Sequence, residues 1–155
     1  MAEEKDVAGV VAPPPIIFLV PLAVGLYEHT SHPVHFATRP IAIALGAIIF
    51  VVALPIFIAA SKGFKKADTP VVPWEPTRAI IEEWPYSFSR NPIYLSMAMM
   101  YVGISLMFNT WWPIFLLPLV LLVIHRGVIL REEAYLTRKF GDQYLAYKQR
   151  VRRWF

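Results

Sequence analysis

The chain contains no cysteine in 155 residues, and Asp, Glu, Lys and Arg together make up only 17% of it. The first absence removes disulfides, thiolate nucleophiles and thiolate metal ligands. The second, beside a hydrophobic share of 57%, removes an ordinary soluble domain, in which about a quarter of residues are charged. No glycine-rich phosphate loop or serine-nucleophile motif occurs, and there is no internal repeat or low-complexity tract. His29, His32 and His35 are loosely spaced with only Glu28 nearby, so no metal site is expected. The net charge of +4 is spread over loops and tail rather than gathered in a groove-sized patch, which fits anionic headgroups and not nucleic acid. The opening MAEEKDVAGVVAPPP lacks a basic n-region, so a cleaved signal peptide is not expected.

What the chain does have is long apolar runs. A mean hydropathy of +0.50 suits an all-α integral membrane bundle, and the length suits one domain over residues 1–155. Four spans are expected. The first is Ile16 to Tyr27, short for a crossing and kinked at Pro21. The second is Pro40 to Ala60, uninterrupted by charge and long enough for about 30 Å of hydrocarbon. The third is Ile93 to about Phe108, and the fourth is Pro113 to Ile124, continuing as helix through His125, Arg126 and a basic amphipathic tail. Between them lie a polar loop, Glu28 to Arg39, and a long Pro- and Trp-rich loop, Ser61 to Pro92, longer than a connection needs to be. The loop bearing Lys62, Lys65, Lys66, Arg78 and Arg90 and the basic tail both belong on the cytoplasmic side, so both termini are expected there in a multi-pass protein.

Two groups stand out from this background. In the tail, Leu136, Phe140, Tyr144, Tyr147 and Val151 recur at steps of four, four, three and four, forming the apolar face of one helix. Glu132 precedes Leu136 on that face, with valine at i−4 and leucine at i+4. No local salt bridge accounts for it, and an ionisable group facing a membrane bundle points to function. Arg126, two turns before Glu133, is spaced to line the same pocket. A solvated pair of interfacial carboxylates is the competing reading of Glu132 and Glu133. The second group is Ser89-Arg90-Asn91-Pro92-Ile93-Tyr94, directly before the third span. Its plain structural roles are Ser89 and Asn91 as caps, Pro92 as the first helical residue and Arg90 as a headgroup anchor.

In their order, Thr69-Pro70-Val71-Val72-Pro73, PTRAIIEEWPYSFSRNPIYLS, a helical hairpin and REEAYLTRKFGDQYLAYKQRVRRW resemble the integral-membrane methyltransferase superfamily of isoprenylcysteine carboxyl methyltransferases and phospholipid methyltransferases. The chain has Asn91 where the isoprenylcysteine branch usually has histidine, and Val128 where that branch places an arginine. The resemblance implies S-adenosyl-L-methionine as cofactor, bound by Arg78, Ile80, Ile81, Tyr86, Arg90, Asn91, Pro92, Ile93, Tyr94, Glu132 and Glu133. It implies Glu132, with Arg126 and Arg131 as the nearby arginines, for catalysis, and no metal. The implied acceptor is lipid-like or a small lipophilic molecule from the bilayer, methylated at carboxylate, amine or thiol. Two alternatives stand beside this: a membrane reductase of the same superfamily using a nicotinamide cofactor, and a non-catalytic protein keeping the fold. Oligomeric state stays open.

Overall fold

The computed structural model describes residues 6–155, and among them there are helices and no strand. Proline sets the helix starts. Each of α1 (Pro14–Ser31), α2 (Arg39–Lys66), α3 (Pro92–Met107) and α4 (Trp112–Ile124) has proline in its first two positions, where the missing N–H costs nothing and the fixed φ favours helix. Pro21, Pro55 and Pro118 lie inside α1, α2 and α4, and each helix continues through them.

The chain then passes from α4 without a break through a π-helical turn, His125–Ile129, into α5 (Leu130–Phe140). A π turn inserts one residue and leaves the regular carbonyl ladder out of step. The Gly127 carbonyl accepts instead from the Val11 N–H at 3.1 Å. The N-terminal segment thereby lies along the turn.

Packing follows small residues. On α2 the buried positions are Ala42, Gly46, Ala53 and Ala60, while Ile41, Leu45, Ile48, Val51, Val52 and Ile58 are exposed. A helix with its small residues inside and its large apolar ones outside is built for lipid, where close backbone approach drives association. A Cβ on Gly46 would overlap the Gly103 carbonyl oxygen on α3 and reach Met107 N at 2.7 Å. The core below joins Phe18 and Leu22 of α1, Tyr101 of α3, Val120 and Ile124 of α4 and Val128 and Ile129 of the π turn. Two helices, Arg39–Lys66 and the continuous Trp112–Phe140, are long and apolar enough to cross a membrane, and α3 is a shorter apolar helix.

At one end, Asn109 sits at φ 53° and its side chain stitches the 32–38 loop, accepting from Phe36 and Ala37 N–H and donating to the Ala37 carbonyl. The structure corrects three expected boundaries. Glu28 and His29 belong to α1, and Ser61 to Lys66 to α2, so both loops are shorter than charge alone suggests. The expected single tail helix is two, because Gly141 at φ 51° breaks the chain between α5 and α6 (Asp142–Arg150). Leu136 and Phe140 thus lie on one helix and Tyr144 and Tyr147 on the next. Val151 is extended, just beyond α6.

Candidate functional site

A cavity of about 250 Å³ opens where α2, α3, α5, α6 and the 67–91 segment converge. Most of its wall is apolar. Phe57 and Phe64 come from α2, Val71, Val72, Ile80 and Ile81 from the long loop, Ile93 and Met97 from α3, and Leu136 from α5. The loop holds its shape by local and distant bonds. The Thr69 hydroxyl accepts the Arg78 N–H at 2.8 Å, and the Tyr135 hydroxyl of α5 accepts the Thr77 N–H at 3.1 Å. The Tyr147 hydroxyl of α6 donates to the Tyr86 carbonyl at 2.8 Å. Burial pushes the Tyr86 phenol far above its ordinary range and the Tyr144 phenol up to about 12, so both stay neutral and act as shaped, hydrogen-bonding walls.

The polar part of the wall is small. Tyr94, on the first turn of α3, donates its hydroxyl to Glu132 Oε1 of α5 at 2.7 Å. The other Glu132 oxygen takes no hydrogen bond from the described residues. A carboxylate in an apolar chamber with one neutral donor is undersatisfied and is set to receive a cation or further donors.

Its neighbour Glu133 is in the opposite condition. Glu133 Oε1 accepts from Arg90 Nη2 and Arg153 Nε, and Oε2 from Arg153 Nη2, all at 2.8 Å. Lys148 Nζ stands 3.6 Å away. The same Arg90 turns its Nη1 to the Lys148 and Val151 carbonyls, each at 2.9 Å, which caps the open C-terminal end of α6. Its backbone N–H meets the Arg152 carbonyl. Ser89 Oγ and Asn91 Nδ2 both donate to the Arg153 carbonyl, at 3.2 and 2.9 Å. Hydrogen bonding to Glu133 raises the Arg153 guanidinium pKa further above its ordinary value.

The structure gathers most of the residues singled out in the sequence. Ile80, Ile81, Tyr86, Arg90, Asn91, Pro92, Ile93, Tyr94, Glu132 and Glu133 all line the cavity. Three arginines stand elsewhere. Arg78 reaches Asp68 at 3.2 Å on the surface. Arg131 gives its Nη1 to the Gly9 carbonyl at 2.7 Å. Arg126 is exposed between the exposed Leu122 and Leu130, away from the cavity wall, because the π turn that contains it changes the helical phase that seven-residue spacing assumes. Pro92 does begin α3, while Asn91 makes no side-chain cap bond and Arg90 is buried rather than set among headgroups. Among the described residues no group of three His, Asp or Glu side chains is placed for a metal ion. Sequence reasoning missed Arg153 and Tyr135. Nothing local marks Arg153, whose partners lie 20 and 62 residues away.

An all-helical membrane protein with a carboxylate-bearing apolar cavity at one end of its bundle is the class that this fold and site define. A family model described as phospholipid methyltransferase matches residues 41–143, and the chain belongs to that family. An uncharacterized protein of Haemophilus influenzae is 62% identical over 34 residues, a match that covers 22% of this chain and 54% of that relative. The chain thus spans about half the length of the curated relative it matches. No solved structure matches.

Proposed function

We propose that the cavity binds S-adenosyl-L-methionine and that the protein methylates a lipid-like or small lipophilic acceptor reaching it from the bilayer. The observation that carries this reading is Glu132, a carboxylate held by Tyr94 at 2.7 Å within an apolar wall, its second oxygen taking no donor from the described residues. The cofactor, when bound, supplies an already activated methyl group on a sulfonium. What remains for the chain is to bind, orient and keep water out.

The residues present fit that task. Glu132 offers a fixed acceptor to ribose hydroxyls or to an ammonium, and Tyr94 holds its orientation. Tyr86, Ile80 and Ile81 form the apolar surface on which an aromatic base is sheltered, and Phe57, Phe64 and Met97 continue it toward α2 and α3. In this reading Glu132 is the binding and charge-balancing residue. Arg90, Asn91 and Glu133 contribute by shaping the wall, with Arg90 Nη1 and Nη2, Asn91 Nδ2 and both Glu133 oxygens engaged within the protein, while the buried Arg90 Nε has no partner among the described residues. The proposed topology is four passes, α1 to α4, with both termini cytoplasmic. It is supported by Lys62, Lys65 and Lys66 in the last turns of α2 and by the basic residues of the tail.

Calorimetry on the detergent-purified protein tests this. S-adenosylhomocysteine is expected to bind and NADPH is not, and Glu132→Ala is expected to abolish binding with helical content unchanged. Binding of NADPH instead would favour a reductase, and binding of neither would favour a non-catalytic protein. Transfer of labelled methyl groups to a panel of lipids, amines and thiols then identifies the acceptor.

A further inference from the structure

We propose that Arg153 is a positioning residue for the cavity, holding Glu132 against Tyr94 without hydrogen-bonding either. The need for such a residue arises from the packing. Tyr94 belongs to α3, which packs against α1, α2 and α4, whereas Glu132 belongs to α5, which packs against the π turn and α6. Their 2.7 Å hydrogen bond therefore joins two elements that do not rest on one another as helices.

The π turn between α4 and α5 also shifts the regular phase of the continuous helix. The facing of residues 132 and 133 thus depends on that turn together with what α5 is bonded to beyond it.

Arg153 is bonded to both sides of this gap. Its carbonyl is held by Ser89 Oγ and Asn91 Nδ2, immediately before α3. Its guanidinium takes Glu133 in a two-point fork at 2.8 Å, through Nε to Oε1 and Nη2 to Oε2. A planar fork fixes the direction of its partner as well as its distance. With Glu133 fixed, the adjacent residue on the same helix, Glu132, is turned about 100° away, toward the cavity and Tyr94. Arg90 reinforces the arrangement from the α3 side through Nη2.

The affinity arm of the test rests on the cofactor reading above, and a second arm does not. Fluorotyrosine placed at Tyr94 reports its hydrogen bond to Glu132 in the ligand-free protein by ¹⁹F resonance. Arg153→Ala is expected to move that resonance, to weaken S-adenosylhomocysteine binding at least tenfold, and to recover both on addition of low millimolar guanidinium. Arg153→Lys, which keeps the charge but loses the fork, is expected to fall between, and replaces the alanine variant if the latter loses helicity. An unmoved Tyr94 resonance in a helical Arg153 variant overturns the proposal, as does a shift that guanidinium leaves unrestored. If the unaltered protein fails to bind S-adenosylhomocysteine, the cofactor reading falls while the fluorine arm still decides the role of Arg153.

Discussion

Glu132 and Glu133 are adjacent, chemically identical and oppositely placed. One has both oxygens occupied by arginines, and the other has one oxygen bonded to a tyrosine and one open to the cavity. Their variants should differ in kind. Glu133→Gln leaves Arg90, only 8% exposed at its side chain, facing a neutral partner. The expected loss is about 3–5 kcal/mol, since breaking one side of a buried pair strands the other, and it is read as a lower Tm in detergent. Tyr94→Phe should lower Tm by less, since one donor lost to a buried acceptor costs about 1–3 kcal/mol, and on the proposed reading should weaken S-adenosylhomocysteine binding by roughly tenfold, the value of about one charge-assisted hydrogen bond. Equal Tm losses in the two variants would contradict this division. At this scale the sequence was half informative. Glu132 stood out because a carboxylate interrupted an apolar stripe, and Tyr94 because of its motif. Arg153 looked like one more basic residue in RVRRW, since its meaning depends on Glu133 and on the 89–91 segment, which only folding brings near.

Among the elements, proline at helix starts and apolar run length made α1, α2, α3 and α4 legible to within a few residues. The ends were less so, because Lys65 and Lys66 read as loop although they form the last turn of α2. The π turn left no readable mark in HRGVI, and its consequence was the misplacement of Arg126. Gly46→Leu should be among the most damaging single changes, because no side chain fits between α2 and the Gly103 backbone. Overpacking costs of about 1–3 kcal/mol are a lower bound where the obstacle is backbone, and thermal unfolding in detergent measures it. Gly141→Ala should cost about 1–3 kcal/mol, because φ 51° with ψ −126° is backbone that a residue with a Cβ rarely adopts, with no steric clash added, since nothing lies within 4 Å of the added Cβ. The N-terminal segment is tied down by charge as well. Lys139 donates to both Asp6 oxygens, at 2.8 and 2.6 Å, and hydrogen bonds from Lys139 and then Tyr135 hold the Asp6 carboxyl below its ordinary range. A lowered carboxylate pKa gives stability that is present above the unfolded value and lost as pH falls through the folded one. Hydrogen exchange at the Val11 amide should therefore accelerate, relative to its intrinsic rate, only below about pH 4, and Asp6→Asn should remove that dependence.

For the molecule as a whole, the cysteine-free sequence is an experimental convenience: single cysteines can be introduced at His35, Gly141 and the exposed Phe108 with no background reactivity. The four-pass arrangement predicts that membrane-impermeant maleimide reaches position 141 from one side and positions 35 and 108 from the other. Labelling of all three from one face would sink the topology. The clasp of residues 89–91 on the tail adds a dimension of time. Asn91 leaves the ribosome 62 residues ahead of the Arg153 carbonyl it holds, a delay of roughly 3–12 s at ordinary rates of synthesis. During that interval α1, α2, α3 and α4 can enter the bilayer while Glu132 still lacks the partner chain that turns it toward Tyr94. On the proposed four-pass reading, insertion and completion of the cavity are thus successive events, and the chain meets its membrane before its site is assembled.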